Sequence, residues 1–162
     1  MTVRLRNMAS VYIKSDTKYL LLYRVGSRVV PPSWCGIGGH FEKDELNDPQ
    51  RAMLRELEEE VGLTEADLAN ISLRYVTLRF KNGEISQNYY YFADLQDGVQ
   101  VPMECDEGAL KWMEADDLPF DEMPHTASFV MKHYEEIGKH NDILYTGASA
   151  AGEVMFHELV EF

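Results

Sequence analysis

Asp48-Pro49-Gln50-Arg51-Ala52-Met53-Leu54-Arg55-Glu56-Leu57-Glu58-Glu59-Glu60-Val61-Gly62 reads as a helix with both ends marked. Asp48 suits the N-cap, because a short carboxylate can accept the free N–H groups of a first turn. Pro49 suits the first helical position, where a missing N–H is no loss. Gly62 suits the position just past the end, where the chain turns left-handed. The predicted helix runs from Pro49 to Val61. At about 100° per residue, Glu59, Glu56 and Glu60 fall at about 40°, 100° and 140° from Arg55, on one stripe. Met53, Leu54, Leu57 and Val61 fall at about 160–260°, a core face directly beside the acidic one. Glu58 falls at about 300°, on plain surface.

A run of glutamates alone is commonly a solvated helix face. Two features point further here. Glu56 is a like-charge neighbour of Glu59 and Glu60 at spacings of three and four, costing roughly 0.2–0.5 kcal/mol each without a counterion. Arg55 stands inside the cluster, where its fork can orient a carboxylate. Clustered hard oxygen ligands suit Mg²⁺, with Mn²⁺ as substitute, whereas Ca²⁺ asks for more ligands. Just upstream, Gly38-Gly39 lets backbone approach a ligand closely, and an ordinary tight turn is the alternative reading.

Outward from the helix, strands and turns alternate. Val11 to Tyr23 is rich in strand formers and is broken by Lys14-Ser15-Asp16-Thr17-Lys18, which predicts a hairpin with Tyr19–Tyr23 as a buried strand. Val29 to Ser33 reads as a proline-containing loop, and Trp34 to Gly39 as a short glycine-punctuated strand and turn. Two strands, Ile71–Phe80 and Ile85–Ala93, flank Asn82-Gly83, a strong hairpin signal. A further strand is predicted near Leu110–Met113, a loop over Leu118–Pro124, and a second helix over Thr126–Gly138. Glu153–Phe162 has the composition of a last strand or a packing arm. The interleaving predicts a mixed α/β domain with a helix on each face of a sheet.

The chain has 162 residues, enough for one domain with a real core, and no internal repeat. No stretch approaches the roughly 20 apolar residues of a membrane span, and Met1–Ser10 lacks the apolar core of a secretory signal. Cys35 and Cys105 are read as reduced thiols of a cytoplasmic protein. A net charge of −13 argues against a nucleic-acid polymer as partner, which needs many cations facing phosphates. It also means that a small anionic substrate needs a cation between itself and the protein, supplied by a bound metal or by placed arginines.

Gly39, five residues, Glu45, then Arg55-Glu56-Leu57, one residue, Glu59-Glu60, one residue, Gly62-Leu63 resembles the Nudix box, here residues 39–63. The family pattern has seven residues between the first glutamate and the arginine. This chain has nine, the extra pair falling in Glu45–Pro49 before the helix, which leaves the role of Glu45 open. The resemblance implies an α/β/α sandwich with a mixed sheet as one domain over residues 1–162. It also implies a metal-dependent hydrolase of a nucleoside diphosphate linked to another group. By position it implies Glu56, Glu59 and Glu60 as Mg²⁺ or Mn²⁺ ligands, the carbonyl of Gly38 as a further one, Glu56 also as base, and Arg55 as the residue orienting them. Within catalysis it groups Glu56, Arg55 and Glu59.

Outside the box, the family often adds an acidic ligand before a later strand. Glu107 in Glu107-Gly108-Ala109-Leu110 fits best, with Glu104 and Asp106 as rivals and an acidic surface loop as the plain alternative. Arg24 resembles the nucleotide-contacting arginine of MutT-like members, and Arg28 is a weaker phosphate candidate. Gly39 is read as substrate-facing. Leu118–His125 resembles the loop that reads the base, with Glu122 and His125 as candidates. The string Tyr89-Tyr90-Tyr91-Phe92 could offer a stacking ring, but alternating strand aromatics are more often core. The leading expectation is a MutT-like hydrolase taking a nucleoside triphosphate to monophosphate and pyrophosphate, with an oxidised purine nucleotide as one option by family analogy. ADP-ribose, nucleotide sugars and dinucleoside polyphosphates are alternatives, as is a non-catalytic nucleotide-sensing module. A homodimer is common in the family, and nothing in this sequence selects it.

Overall fold

The computed structural model describes residues 2–26 and 31–162. All ten strands assigned among them lie in one sheet, and two α-helices cover its faces. The strands are β1 (Arg4–Ser15), β2 (Lys18–Arg24), β3 (Ser33–Cys35), β4 (Ile37–His40), β5 (Leu68–Lys81), β6 (Glu84–Leu95), β7 (Glu104–Cys105), β8 (Gly108–Glu114), β9 (Leu144–Ala150) and β10 (Glu153–Leu159). The helices are α1 (Pro49–Val61) and α2 (His125–Glu136). The strand order is β10-β9-β5-β6-β1-β2-β8-β7, with β3 paired to β2 and β4 to β1. The β1–β6 and β5–β9 pairs are parallel and the rest antiparallel, so the sheet is mixed as expected.

Successive residues of β1 point to opposite faces, and both faces are buried in its second half. Ala9, Val11 and Ile13 pack with Ala52, Met53, Leu57 and Val61 of α1. Tyr12 packs with Tyr75, Phe92, and Val130, Met131 and Tyr134 of α2. That arrangement is an α/β/α sandwich. Tyr90, Tyr91 and Phe92 are all buried, so the aromatic string serves the core on both faces, while Tyr89 stacks on Phe41 with ring centroids 5.4 Å apart.

The hairpins form where the turns require left-handed backbone, at Asp16 (φ 53°) and at Asn82 and Gly83 (φ 53° and 71°). Four differences from the sequence reading have physical causes. β1 begins at Arg4 rather than near Val11, because β6 supplies a parallel ladder along its polar first half. The loop predicted over Leu118–Pro124 contains a short 3-10 turn, Phe120–Glu122. β7 is two residues long, too short for any pattern. β9 is a strand of small residues, Leu-Tyr-Thr-Gly-Ala-Ser-Ala, with weak intrinsic strand preference. It is held between β5 and β10, the predicted last strand. Arg28, and Val29 and Val30 of the predicted Val29–Ser33 loop, lie outside the described residues.

Candidate active site

The helix α1 has the limits its ends dictate. Asp48 Oδ1 accepts the Arg51 N–H at 3.1 Å, and Gly62 takes φ 71° while its N–H reaches the Glu58 carbonyl. Its acidic stripe rises beside β4, which pairs with β1 through Gly38 opposite Ser10 and Gly39 opposite Ala9. A Cβ at Gly38 would come within 2.0 Å of the Ala9 carbonyl oxygen, so only glycine allows that strand to seat. A Cβ at Gly39 would come within 2.5 Å of the Glu56 carboxyl carbon. The Glu56 carboxylate therefore rests on Gly39, and the glycine pair shapes the floor of an acidic site.

Arg55 is the hub. Its Nε donates to Glu45 Oε1 at 2.7 Å and its Nη2 to Glu45 Oε2 at 3.0 Å. Nη1 donates to Glu56 and to Glu59, each at 3.0 Å, and Nη2 also reaches the His40 carbonyl at 2.9 Å. Arg55 thus holds two box glutamates through one nitrogen. Its bidentate partner is Glu45, whose role the two-residue insertion left open. A short 3-10 turn, Lys43–Glu45, and the Asp48 cap flank the stretch that carries the extra pair, and across it Glu45 faces Arg55. Glu45 is only 1% exposed. The Arg55 fork holds its carboxyl below the usual range, against the opposing effect of burial, and the Glu42 N–H adds to the lowering.

Glu60 lies deeper than its neighbours, its side chain 8% exposed against 58% for Glu59. Arg24, at the end of β2, reaches it with Nη2 at 2.7 Å from Oε1, and the same nitrogen is 3.0 Å from the Gly38 carbonyl oxygen. Burial pushes the Glu60 carboxyl up to about 7, Glu56 and Glu107 push the same way, and Arg24 opposes them. Among the described residues, Glu60 Oε2 and Arg24 Nε are buried without a hydrogen-bond partner. Cys35 is a free thiol close by, pushed up to about 11 by burial, and Cys105 is free at the groove wall.

Between α1 and the β7–β8 turn runs a groove of about 330 Å³. Glu56, Glu59 and Glu60 line one side, and Glu104, Asp106 and Glu107 the other. Both rivals of Glu107 therefore face the groove with it. Glu107 is set apart by its place beside Arg24 and Glu60, and its carbonyl accepts the Val25 N–H at 3.3 Å. Gly108 allows this, since its φ is 150° and a Cβ there would stand 1.9 Å from the Tyr23 carbonyl oxygen.

Among the described residues, no three His, Cys, Asp or Glu side chains stand together at metal-ligating spacing. Glu56 and Glu59 are turned to Arg55 and Glu60 to Arg24. The donor set nevertheless fits a hard divalent ion: carboxylates, one backbone carbonyl, and a buried Glu60 oxygen that lacks a partner.

Other expected residues lie apart from this groove. Glu122 is exposed in the 3-10 turn before α2, and His125 is exposed at the first position of α2, its ring 5.0 Å from that of Phe129. Neither lines the groove. Sequence reasoning passed over His40, whose ring is pushed down by burial and by Arg6 nearby, while Glu56 opposes this. It also passed over a basic end of the sheet. Register places Arg79 and Arg6 in one row about Ser86, and Lys81 and Arg4 in the next about Glu84. Side chains opposite one another share a face, so these cations gather beyond the His40–Met8 pair on a protein of net charge −13.

A family profile described as NUDIX domain matches residues 4–133. No curated protein matches the chain by sequence. Among solved structures, a MutT NUDIX hydrolase from Burkholderia pseudomallei is similar with TM-score 0.65 and 28% identity, over 80% of this chain and 97% of that one. A mutator MutT protein from Bacillus halodurans gives TM-score 0.63 at 20% identity, over 94% and 97%. An Ap4A hydrolase from C. elegans gives 0.64 at 19%, over 86% and 100%. The last two bear on the fold alone.

Proposed function

Because the chain belongs to the Nudix family and is a pyrophosphohydrolase of it, we propose that it takes a nucleoside triphosphate to the monophosphate and pyrophosphate with Mg²⁺, or Mn²⁺ in its place. The observation that carries this reading is the groove walled by Glu56, Glu59, Glu60 and Glu107, with Glu56 resting on Gly39 of β4, a strand where the sequence reading expected a turn. Glu56, Glu59, Glu60, Glu107 and the Gly38 carbonyl would hold the ion. When bound, such an ion neutralises phosphate charge and lowers the pKa of water. Glu56 is positioned for a base: its carboxylate rests on Gly39 and is oriented by Arg55, so it can take a proton from water attacking phosphorus. Glu45 keeps Arg55 charged and fixed. Arg24 and the basic sheet end offer positive charge to an anionic substrate that the rest of the surface repels. Glu122 and His125 remain our candidates for contact with the base. An oxidised purine nucleotide is the first substrate to try.

A panel of nucleoside triphosphates, oxidised purine nucleotides, ADP-ribose, nucleotide sugars and dinucleoside polyphosphates, assayed for pyrophosphate and phosphate, tests the assignment. Turnover should vanish with EDTA and return with Mg²⁺ or Mn²⁺. Glu60→Gln should lower kcat at least about a hundredfold with the fold intact, because it weakens the hold on the ion that would stabilise developing charge. Wild-type turnover by that variant would overturn the ligand set. Tight binding of one panel member without cleavage would favour a sensing module.

A further inference from the structure

Arg24 holds, from a single nitrogen, two oxygens that the preceding reading gives to the metal ion. Nη2 lies 2.7 Å from Glu60 Oε1 and 3.0 Å from the Gly38 carbonyl oxygen. A carboxylate and a backbone carbonyl converging on one positive centre is what a divalent cation would ask of them. The arrangement is incomplete on both sides. Among the described residues, Glu60 Oε2 is buried without a hydrogen bond, though the Gly38 N–H faces the carboxylate, and Arg24 Nε is buried without one, though the Cys35 sulfur stands beside the guanidinium. A buried polar atom left unpaired destabilises the state that holds it. The two deficits call for different partners. An ion at Gly38 and Glu60 would satisfy the carboxylate, and a phosphate oxygen would satisfy the guanidinium.

We infer that Arg24 is the internal counter-cation of the ion site, competing with the divalent metal for Gly38 and Glu60 and passing to the phosphate of the substrate when displaced. This rests on the metal reading above. A guanidinium and a divalent ion cannot share the same two oxygens, because like charges at contact distance repel strongly in a partly buried setting. Metal entry therefore releases Arg24. An anion that captures the freed guanidinium favours the released state, so metal and substrate each tighten binding of the other by the same factor. Arg24 acts here as a positioning residue that couples the two ligands.

The test needs no turnover. Mn²⁺ binding to the ligand-free protein is followed by electron paramagnetic resonance for the wild type, Arg24→Gln and Glu60→Gln. The Arg24 Nε–Hε signal of the wild type is followed by NMR as Mg²⁺ is added. Arg24→Gln should bind Mn²⁺ about three- to tenfold more tightly. The Arg24 signal should move in step with Mg²⁺ occupancy, which distinguishes release from a mere loss of nearby charge. A signal unmoved at saturating Mg²⁺, or an Arg24→Gln protein that binds Mn²⁺ no better than wild type, overturns the inference. Undiminished Mn²⁺ binding by Glu60→Gln would instead strike the metal reading itself, whatever Arg24 does.

Discussion

Arg55 is clamped across the full width of the Glu45 carboxylate, Nε to Oε1 at 2.7 Å and Nη2 to Oε2 at 3.0 Å, ten positions apart in sequence. The clamp is what lets one arginine leave Nη1 for Glu56 and Glu59. Breaking a buried pair by removing one partner costs about 3–5 kcal/mol, because the other charge is left behind. Arg55 is partly exposed, its side chain 21% accessible, so solvent screening takes the cost below that range. Glu45→Gln should destabilise the protein by about 1–3 kcal/mol near pH 7. The sign with pH follows from the lowered Glu45 carboxyl. Its stabilisation is complete above the unfolded value, near 4.5, and is lost as pH falls through the lower folded value. The gap in Tm between wild type and Glu45→Gln should therefore narrow below about pH 4. A gap constant from pH 7 to pH 3 would count against the ion pair as the source.

Gly39→Ala tests whether Glu56 needs its place against β4. The new methyl group would meet the Glu56 carboxylate at 2.5–2.6 Å, and that carboxylate is the far end of a flexible side chain. It can swing away, so the fold should survive with Tm within a few degrees. If Glu56 is the base we propose, its displacement should lower kcat by about 10²-fold, as small misplacements of catalytic groups do. Normal kcat in Gly39→Ala would show that Glu56 acts from another position.

Much of this was readable from residues alone, and the exceptions share a cause. Asp48, Pro49 and Gly62 mark α1 because caps are local chemistry. The acidic stripe follows from helical period, and the structure leaves Glu58 exposed as that period requires. Asn82-Gly83 fixes the β5–β6 hairpin for the same local reason. By contrast, β9 is a strand only because β5 and β10 flank it, and its small residues carry no signal. Glu45 stood ten residues from Arg55 with an insertion between, and only folding shows that the insertion leaves their pairing intact. Arg24 was read as a nucleotide contact from its sequence position. That it reaches Gly38 and Glu60 depends on β2 and β4 lying to either side of one site. Glu122 and His125 are candidates only by resemblance to a loop, and the structure keeps them outside the acidic groove.

Gly108→Ala probes the other wall of the groove. The residue sits at φ 150° with no room for a Cβ against the Tyr23 carbonyl, which is backbone and cannot step aside. The β7–β8 turn should shift away from β2 and carry Glu107 with it. Strain of this kind costs of order 1–3 kcal/mol. Apparent Mg²⁺ affinity should fall together with Tm. Glu107→Gln should lower metal affinity while leaving Tm near wild type. If Glu104→Gln or Asp106→Gln weakens metal binding more than Glu107→Gln does, the ligand on this wall is misassigned.

Arg74 supplies a prediction far from the groove. It is a charged residue in the middle of β5, yet it is 5% exposed. Its Nη2 donates to the Gly138 carbonyl at 2.8 Å and to Asn141 Oδ1 at 3.1 Å, and its Nε to the Ile143 carbonyl at 3.2 Å. The guanidinium carbon lies 5.6 Å from the centroid of the Tyr134 ring. One side chain thus fastens the segment that joins α2 to β9, where no regular ladder can satisfy the carbonyls. Arg74→Met keeps the apolar stem and leaves those acceptors without donors, at about 1–3 kcal/mol for each that stays buried. The total should be about 2–5 kcal/mol, a fall in Tm of about 5–15 °C for a chain of this size. The kcat of the folded fraction should stay close to wild type, because Arg74 bonds to no residue of the groove. A drop in kcat at a temperature where the variant is fully folded would instead tie the α2–β9 segment to the reaction.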